Sequence, residues 1–326
     1  MQIVFGLENL PSACRENVFL ALGNFDGVHK GHQHVIKTAV KAARSYGGNS
    51  AALIFDPHPA HVVRPEGNLL LLSDLEAKGE ILGALGLDYL IVEPFSKETS
   101  CFLPEEFVKI YLKGKIGVSC VIVGFDYTFG RGAAGSVSHL KGWGEELDIE
   151  VQVCSPVSVE GKQVSSSAIR ELIAAGEVGQ ACKLLNYHYF RHGKVVPGAG
   201  RGKDLLGFPT ANVSFAPSMV LPGRGVYYTI VKLDEQLFVG AANIGVRPTF
   251  PGQDLAVEIN IVDYHGDLYG QTLTVYFIDR IRDEIAFSGA DELKMQIAAD
   301  IENIRQKAEG SLPLLLPEGC KFGVIK

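Results

Sequence analysis

Leu22-Gly23-Asn24-Phe25-Asp26-Gly27-Val28-His29-Lys30-Gly31-His32 places three glycines and two histidines between an apolar run and a helical pattern. Upstream, Val18–Leu22 reads as a buried strand. Downstream, Val35, Ile36, Ala39, Val40, Ala42 and Ala43 recur at helical spacing over 33–45, and Gly47-Gly48 is a stop signal. The glycines therefore fall in a strand-to-helix turn, where the backbone can approach a ligand closely and helix N–H groups point at it. A phosphate suits such a turn, and the helix end contributes about 0.3–1 kcal/mol toward holding it. His29 and His32 are three apart, so both rings can face one anion. An isolated H-x-x-H is otherwise a capping pair or half of a metal site.

At 326 residues the chain is long enough for two cores. Hydrophobic residues make up 47% and charged residues 21%, the balance of a soluble globular enzyme. A net charge of −7 gives no general footprint for nucleic acid, so an anionic ligand has to be caught locally. The six cysteines form no C-x-x-C pair and show no metal-ligand spacing, so they read as reduced thiols. The N-terminus lacks a signal-peptide pattern, and no apolar run approaches the ~20 residues that cross a bilayer. The expectation is a cytoplasmic protein, monomer favoured, with no nucleic-acid or membrane partner.

As far as residue 176, apolar runs alternate with helical patterns. Strands are expected at 17–23, 50–55, 89–95, 120–124 and 149–157, and helices around 33–45, 74–85, 104–112 and 137–147. That alternation predicts an α/β domain with a doubly wound parallel sheet, whose ligands bind at the carboxyl ends of the strands. The loops there are polar. Asp56-Pro57-His58-Pro59 is stiffened by two prolines that hold Asp56 and His58 out from the sheet, although alone it is also a plain rigid turn. In Gly124-Phe125-Asp126-Tyr127-Thr128-Phe129-Gly130-Arg131-Gly132, the aromatics either pack the loop down or meet an aromatic ligand. Ser165-Ser166-Ser167-Ala168-Ile169-Arg170 has ordinary helix-capping serines, with Arg170 placed to reach an anion at the same helix end.

After a short connecting helix over 177–185 the pattern changes to successive strands, at 190–196, 211–215, 226–233, 237–244, 257–264 and 272–278. These predict a small antiparallel β-barrel, followed by a helix over 291–307 with Leu293, Ile297, Ile301 and Ile304 on one face. The boundary is placed near Leu184, giving domains 1–183 and 184–326. Between the first two barrel strands, Gly198, Gly200, Gly202 and Gly207 are spaced to cradle phosphates, but no G-K-[ST] follows to make a Walker A loop. Glu258 interrupts the apolar run Val257-Glu258-Ile259-Asn260-Ile261-Val262, either on the solvated face of an edge strand or as a placed carboxylate.

Four of these motifs in order, G-x-F-D-G-x-H-x-G-H, F-D-P-H-P, the Gly124 loop and S-S-S-x-I-R, resemble the amino-terminal module of the bifunctional bacterial riboflavin kinase/FMN adenylyltransferases, the FAD synthetases. Gly207-Phe208-Pro209-Thr210-Ala211-Asn212 resembles the G-x-P-T-A-N signature of riboflavin kinases, and Glu258 with Asp263 their V-E-x-x-x-x-D strand. Asn243-Ile244-Gly245-Val246-Arg247-Pro248-Thr249 fits the family as well. The likeness spans roughly 4–305.

The resemblance implies a nucleotidylyltransferase-like domain followed by a kinase barrel, acting on riboflavin, FMN and ATP with Mg²⁺. In the first domain it assigns ATP binding to Gly23, Phe25, Asp26, His29, His32, Asp126, Ser166, Ser167 and Arg170. His29, His32 and Arg170 are catalytic in this assignment, and Asp56, Pro57 and His58 lie near the flavin phosphate. Some relatives carry asparagine where Asp126 stands. In the second domain Gly198, Gly200, Gly202, Gly207, Thr210 and Asn212 bind ATP, Thr210 and Asn212 hold the magnesium, and Glu258 activates the 5′-hydroxyl of riboflavin. Between Arg201-Gly202 and Gly207 this chain has one residue more than many relatives.

The chemistry of the two steps differs in one respect. Adenylyl transfer uses an already anionic phosphate as nucleophile and needs alignment and charge stabilisation. An alcohol has to lose its proton as it attacks, so only the kinase domain needs a base. A non-catalytic flavin or nucleotide sensor built on the same loops would have no use for Glu258.

Overall fold

The computed structural model describes residues 1–197, 209–246, 255–309 and 315, and its chain packs as two compact units, Met1–Ser166 and Ser167–Lys326.

The first unit is built on six strands: β1 (Gln2–Phe5), β2 (Val18–Leu22), β3 (Asn49–Asp56), β4 (Tyr89–Pro94), β5 (Val118–Gly124) and β6 (Glu150–Cys154). Every pairing is parallel and the order across the sheet is β1-β4-β3-β2-β5-β6. The chain moves outward from β2 to β3 and β4, then crosses to the other side of β2 for β5. The crevice where the winding reverses lies at the carboxyl ends of β2 and β5, the usual ligand position in such sheets.

All five residues of β2 are buried because helices cover both faces of the sheet. On one face lies α1 (Lys30–Tyr46), whose Val35, Ile36, Ala39, Ala42 and Ala43 are buried. It stops at Gly47, whose φ of 65° lets its N–H reach Ala43 O. On the other face, α4 (Pro104–Glu106) continues as a π-helical segment, Phe107–Ile116, which buries Phe107, Val108, Tyr111, Leu112 and Ile116. The short α2 (Pro59–Val63), then α3 (Leu75–Ala84), follow β3, and α5 (Val137–Glu146) precedes β6.

Three features of the first unit differ from the sequence expectation. The edge strand β1 carries too little pattern to be read, since Val4 alone among its four residues is buried. The sixth strand ends at Cys154 because the chain turns into a small hairpin, β7 (Ser158–Val159) with β8 (Lys162–Gln163). The π-helical winding after Glu106 replaces the α-helix expected there.

The second unit opens with α6 (Ser166–Ala174), which starts on the last residue of the first, and α7 (Val178–Leu185). Six antiparallel strands follow: β9 (Phe190–Val196), β10 (Ala211–Phe215), β11 (Gly225–Leu233), β12 (Gln236–Val246), β13 (Leu255–Ile261) and β14 (Thr272–Arg282). They close in the order β10-β13-β12-β11-β14-β9, with β9 pairing back onto β10. The packing divides the chain upstream of 184 because α6 and α7 sit on the barrel: α7 packs against β14, and Gly223 N donates to Ile173 O at 3.1 Å.

One face of the strands fills the barrel with Val213, Val257, Ile259, Ala242 and Ile244, none more than 5% exposed. Strand β13 stops at Ile261, short of the expected 264, where Tyr264 N turns back to Ile261 O and Asp263 takes a φ of 59°. The last helix, α8 (Ala290–Ala308), packs against β12 through its buried Ile301 and Ile304. A two-pronged ion pair ties it to β14, with Arg282 Nη2 2.7 Å from Asp300 Oδ2 and Arg282 Nε 3.0 Å from Asp300 Oδ1.

Candidate active sites

In the first unit the turn after β2 is held in an unusual shape. Phe25, Gly27 and Val28 all have left-handed φ values, 48°, 75° and 34°. For a β-branched residue such as Val28 this is strained, and strain of that kind persists only where its surroundings impose it. Here they do. Phe25 and Val28 are buried, Gly27 N donates to Ser73 Oγ at 2.8 Å, and Gln33 Nε2 donates to Val28 O at 2.9 Å. A Cβ on Gly27 would lie 2.7 Å from Leu72 Cδ1.

Asp26 is part of that scaffold. Its Oδ1 accepts from Leu72 N at 2.9 Å and from Ser73 N at 3.2 Å, and its carbonyl accepts from Ser166 Oγ at 2.9 Å. Asp26 thereby clamps the turn to the segment leading into α3, and Ser166 braces it through the hydrogen bond to the Asp26 carbonyl.

The turn presents the two histidines together. His29 caps α1, its Nδ1 accepting from His32 N at 3.3 Å, and the rings stack with centroids 3.6 Å apart at 13°. Phe25 meets His32 edge-on at 5.4 Å. Gly31 leaves room for the stack, since a Cβ there would lie 3.2 Å from the His29 ring. Burial, helped by His29 and then Lys78, holds the His32 pKa well below its ordinary value, so the ring is neutral. Its Nδ1 is buried with no hydrogen-bond partner. An orphaned polar atom at the sheet's ligand position is what a bound anion would satisfy.

Lys78 escaped the sequence reading. It lies on α3 at 6% exposure, and burial lowers its pKa against the opposing pull of Asp26, Asp56 and Asp74. The available signal was a lysine within the buried stripe Ala77, Lys78, Ile81 and Leu82.

The remaining residues are placed as follows. Gly23 follows β2 directly, and a Cβ there would touch the Phe25 ring at 3.1 Å. Asp56 ends β3, exposed, and Pro57 is exposed beside it. His58 caps α2 by accepting from Ala60 N at 3.2 Å. In the loop after β5 Asp126 is exposed, while Tyr127 and Phe129 stack at 5.6 Å and Phe129 packs on Phe107. Tyr127 and Phe129 therefore pack that loop down, whereas Phe125 is exposed. Ser167 and Arg170, on α6, belong to the second compact unit.

In the barrel, Glu258 of β13 stands directly opposite Asn212 of β10 on one side and Asn243 of β12 on the other. Directly opposed side chains share a face, so these three form one polar row across three strands. Because β13 is paired on both sides, Glu258 is not on an edge strand, and it is half-buried. Two residues along, Asn260 Nδ2 donates to Pro209 O at 2.9 Å, pinning the approach to β10 where Thr210 sits. Thr210 and Asn212 are both half-buried. Gly198, Gly200, Gly202 and Gly207 lie outside the described residues.

A family model for FAD synthetase matches residues 12–168, and one for riboflavin kinase matches residues 185–308. The bifunctional riboflavin kinase/FMN adenylyltransferase of Listeria monocytogenes is 35% identical over 291 residues, 89% of this chain and 92% of that protein. Its namesake in Bacillus subtilis is 36% identical over 86% of this chain and 89% of its own length. A solved structure from Streptococcus pneumoniae, described as a macrolide-efflux protein, is 32% identical with a TM-score of 0.84 and covers 94% of this chain and 99% of its own. That description stays with that protein; among the described residues here, no helix is long and apolar enough to cross a membrane. With both modules matched in order and such relatives aligned over most of their length, the chain belongs to the bifunctional riboflavin kinase/FMN adenylyltransferase family.

Proposed function

We propose that the barrel transfers the γ-phosphoryl group of ATP to the 5′-hydroxyl of riboflavin, and that the first unit then joins FMN to AMP with release of pyrophosphate. The observation that carries this reading is the position of Glu258, a half-buried carboxylate facing Asn212 across paired strands. Glu258 takes the hydroxyl proton as the oxygen attacks the γ-phosphorus, and ADP leaves. Thr210 on the approach to β10 and Asn212 within it offer neutral oxygen ligands, a set that fits a hard cation already charge-balanced by phosphates. Mg²⁺ held there would neutralise phosphate charge. Gly198, Gly200, Gly202 and Gly207 cradle the phosphates on this reading.

In the first unit the FMN phosphate attacks the α-phosphorus without a base. His29, neutral His32, the turn's backbone and Ser166 position and stabilise the phosphates. Gly23, Phe25 and Asp126 line the nucleotide, and Asp56, Pro57 and His58 the flavin phosphate. Asp26 counts with the ATP-binding residues on this reading, and its Oδ1 also holds the turn by accepting from Leu72 N and Ser73 N.

The catalytic modules correspond to 1–183 and 184–326. A cytoplasmic setting is supported by the free thiols of Cys14, Cys101, Cys120, Cys154 and Cys182. The net charge of −7 supports small-molecule partners rather than nucleic acid, and a monomer is part of this reading. Incubating the purified chain with riboflavin, ATP and Mg²⁺ tests the scheme: FMN should accumulate first and FAD with pyrophosphate later, whereas neither product forming would refute it.

A further inference from the structure

The first unit contains a buried cation that the reaction scheme above leaves unused. Lys78 is 6% exposed, yet no hydrogen bond or ion pair reaches its ammonium among the described residues. The carboxylates whose charge it feels are Asp26, Asp56 and Asp74. Two of them already serve the backbone: Asp26 Oδ1 accepts from Leu72 N and Ser73 N, and Asp74 Oδ1 accepts from Ala77 N at 2.8 Å to cap α3. Burying an ammonium without a hydrogen-bonded partner is costly, and an anionic ligand would offset that cost. Beside it stands a second incomplete group, His32, whose Nδ1 is buried and unpartnered and whose ring feels the Lys78 charge. One buried cation and one neutral imidazole with an unpartnered ring nitrogen thus lie near each other, His32 on the helix that follows the turn after β2.

We propose that Lys78 is a phosphate-binding catalytic residue of the adenylyl-transfer pocket, its ammonium contacting phosphate oxygens alongside His32. This rests on the adenylyltransferase reading of the first unit. The ligand chemistry is a phosphate oxygen, which two substrates could bring: the triphosphate of ATP or the monoester of FMN. The competing role is internal, a counter-charge that merely neutralises Asp26, Asp56 and Asp74.

The test uses the full chain, Lys78→Met and Lys78→Arg, with three readouts: FAD formation from supplied FMN with KM for each substrate, FMN formation from riboflavin, and the thermal midpoint. The Lys78→Met chain should lose about 10²-fold or more in kcat/KM for FAD formation, the scale of removing one transition-state donor, with FMN formation unchanged. A raised KM for ATP assigns the contact to the triphosphate, and a raised KM for FMN assigns it to the monoester. If Lys78→Met fails to fold, Lys78→Arg decides: it keeps the internal counter-charge but moves the donors, so a several-fold change in kcat/KM supports phosphate contact and wild-type kinetics overturn it. A folded Lys78→Met chain that makes FAD at the wild-type rate also overturns it. Failure of the wild-type chain to make FAD from FMN would instead count against the adenylyltransferase reading itself.

Discussion

Glu258 and Asn212 face each other across β13 and β10 in direct antiparallel register, so one polar row contains a carboxylate and a neutral amide on strands paired along both edges. An edge carboxylate would be free to point into water. This one is held by the pleat on the same side as Asn212, which fixes where the proposed base and the proposed nucleotide-binding amide meet. Asn212→Ala should therefore lower kcat/KM for FMN formation by roughly 10-fold or more while FAD formation from supplied FMN is unchanged. Steady-state assays of the two half-reactions check this, and equal losses in both would argue against separate sites.

The stacked histidines give a pH signature. Burial lowers the His32 pKa below the ordinary 6.5, so the unfolded chain binds more protons than the folded one below that pH. The stabilisation is fully present above about 6.5 and is lost as pH falls through that value, at up to about 1.4 kcal/mol per pH unit until the folded pKa is reached. Urea unfolding of wild type and His32→Asn at pH 7, 6 and 5 should show the wild type losing more stability on acidification. Parallel pH profiles would contradict a buried neutral His32.

Gly27 is the position where the phosphate-turn shape is most exposed to substitution. Gly27→Ala adds a Cβ 2.7 Å from Leu72 Cδ1 at a φ of 75°, and should destabilise the first unit by about 1–3 kcal/mol. Chemical denaturation measures the loss directly. FAD formation should fall too, because the misplaced turn carries His29.

The Arg282–Asp300 pair joins α8 to β14 with side chains only 17% and 7% exposed. Removing one partner leaves the other charge partly buried, so Asp300→Ala should lower stability by about 3 kcal/mol. Thermal unfolding followed by circular dichroism should show the kinase unit melting earlier. The surface pair Lys109–Glu105, with both side chains about half exposed, should by contrast tolerate Glu105→Ala with little change in stability.

What could be read in the chain follows its local periodicity. The run Val18–Leu22, the glycines behind it and the helical stripe from Val35 onward declare a strand, a turn and a helix without help from the rest of the fold. The barrel strands are legible for the same reason. Strand β1 is not, because an edge position leaves Ile3 and Phe5 exposed and blurs the alternation. Asp263 ends β13 through a backbone angle that its residue type permits but does not announce. Within the site, the histidines are visible because motif and turn coincide, whereas Lys78 reads as an ordinary helical lysine until α3 is laid against the turn. Asp26 is visible as a motif residue, yet its grip on Leu72 and Ser73 depends on residues 46 and 47 positions away.

The most direct measurement is the pair of half-reactions in Glu258→Gln, a substitution that keeps the size and the half-buried position while removing the base. FMN formation from riboflavin should fall by about 10²–10⁴-fold, with FAD formation from supplied FMN at the wild-type rate. A Glu258→Gln chain that still phosphorylates riboflavin normally would contradict the assignment of proton removal to the barrel.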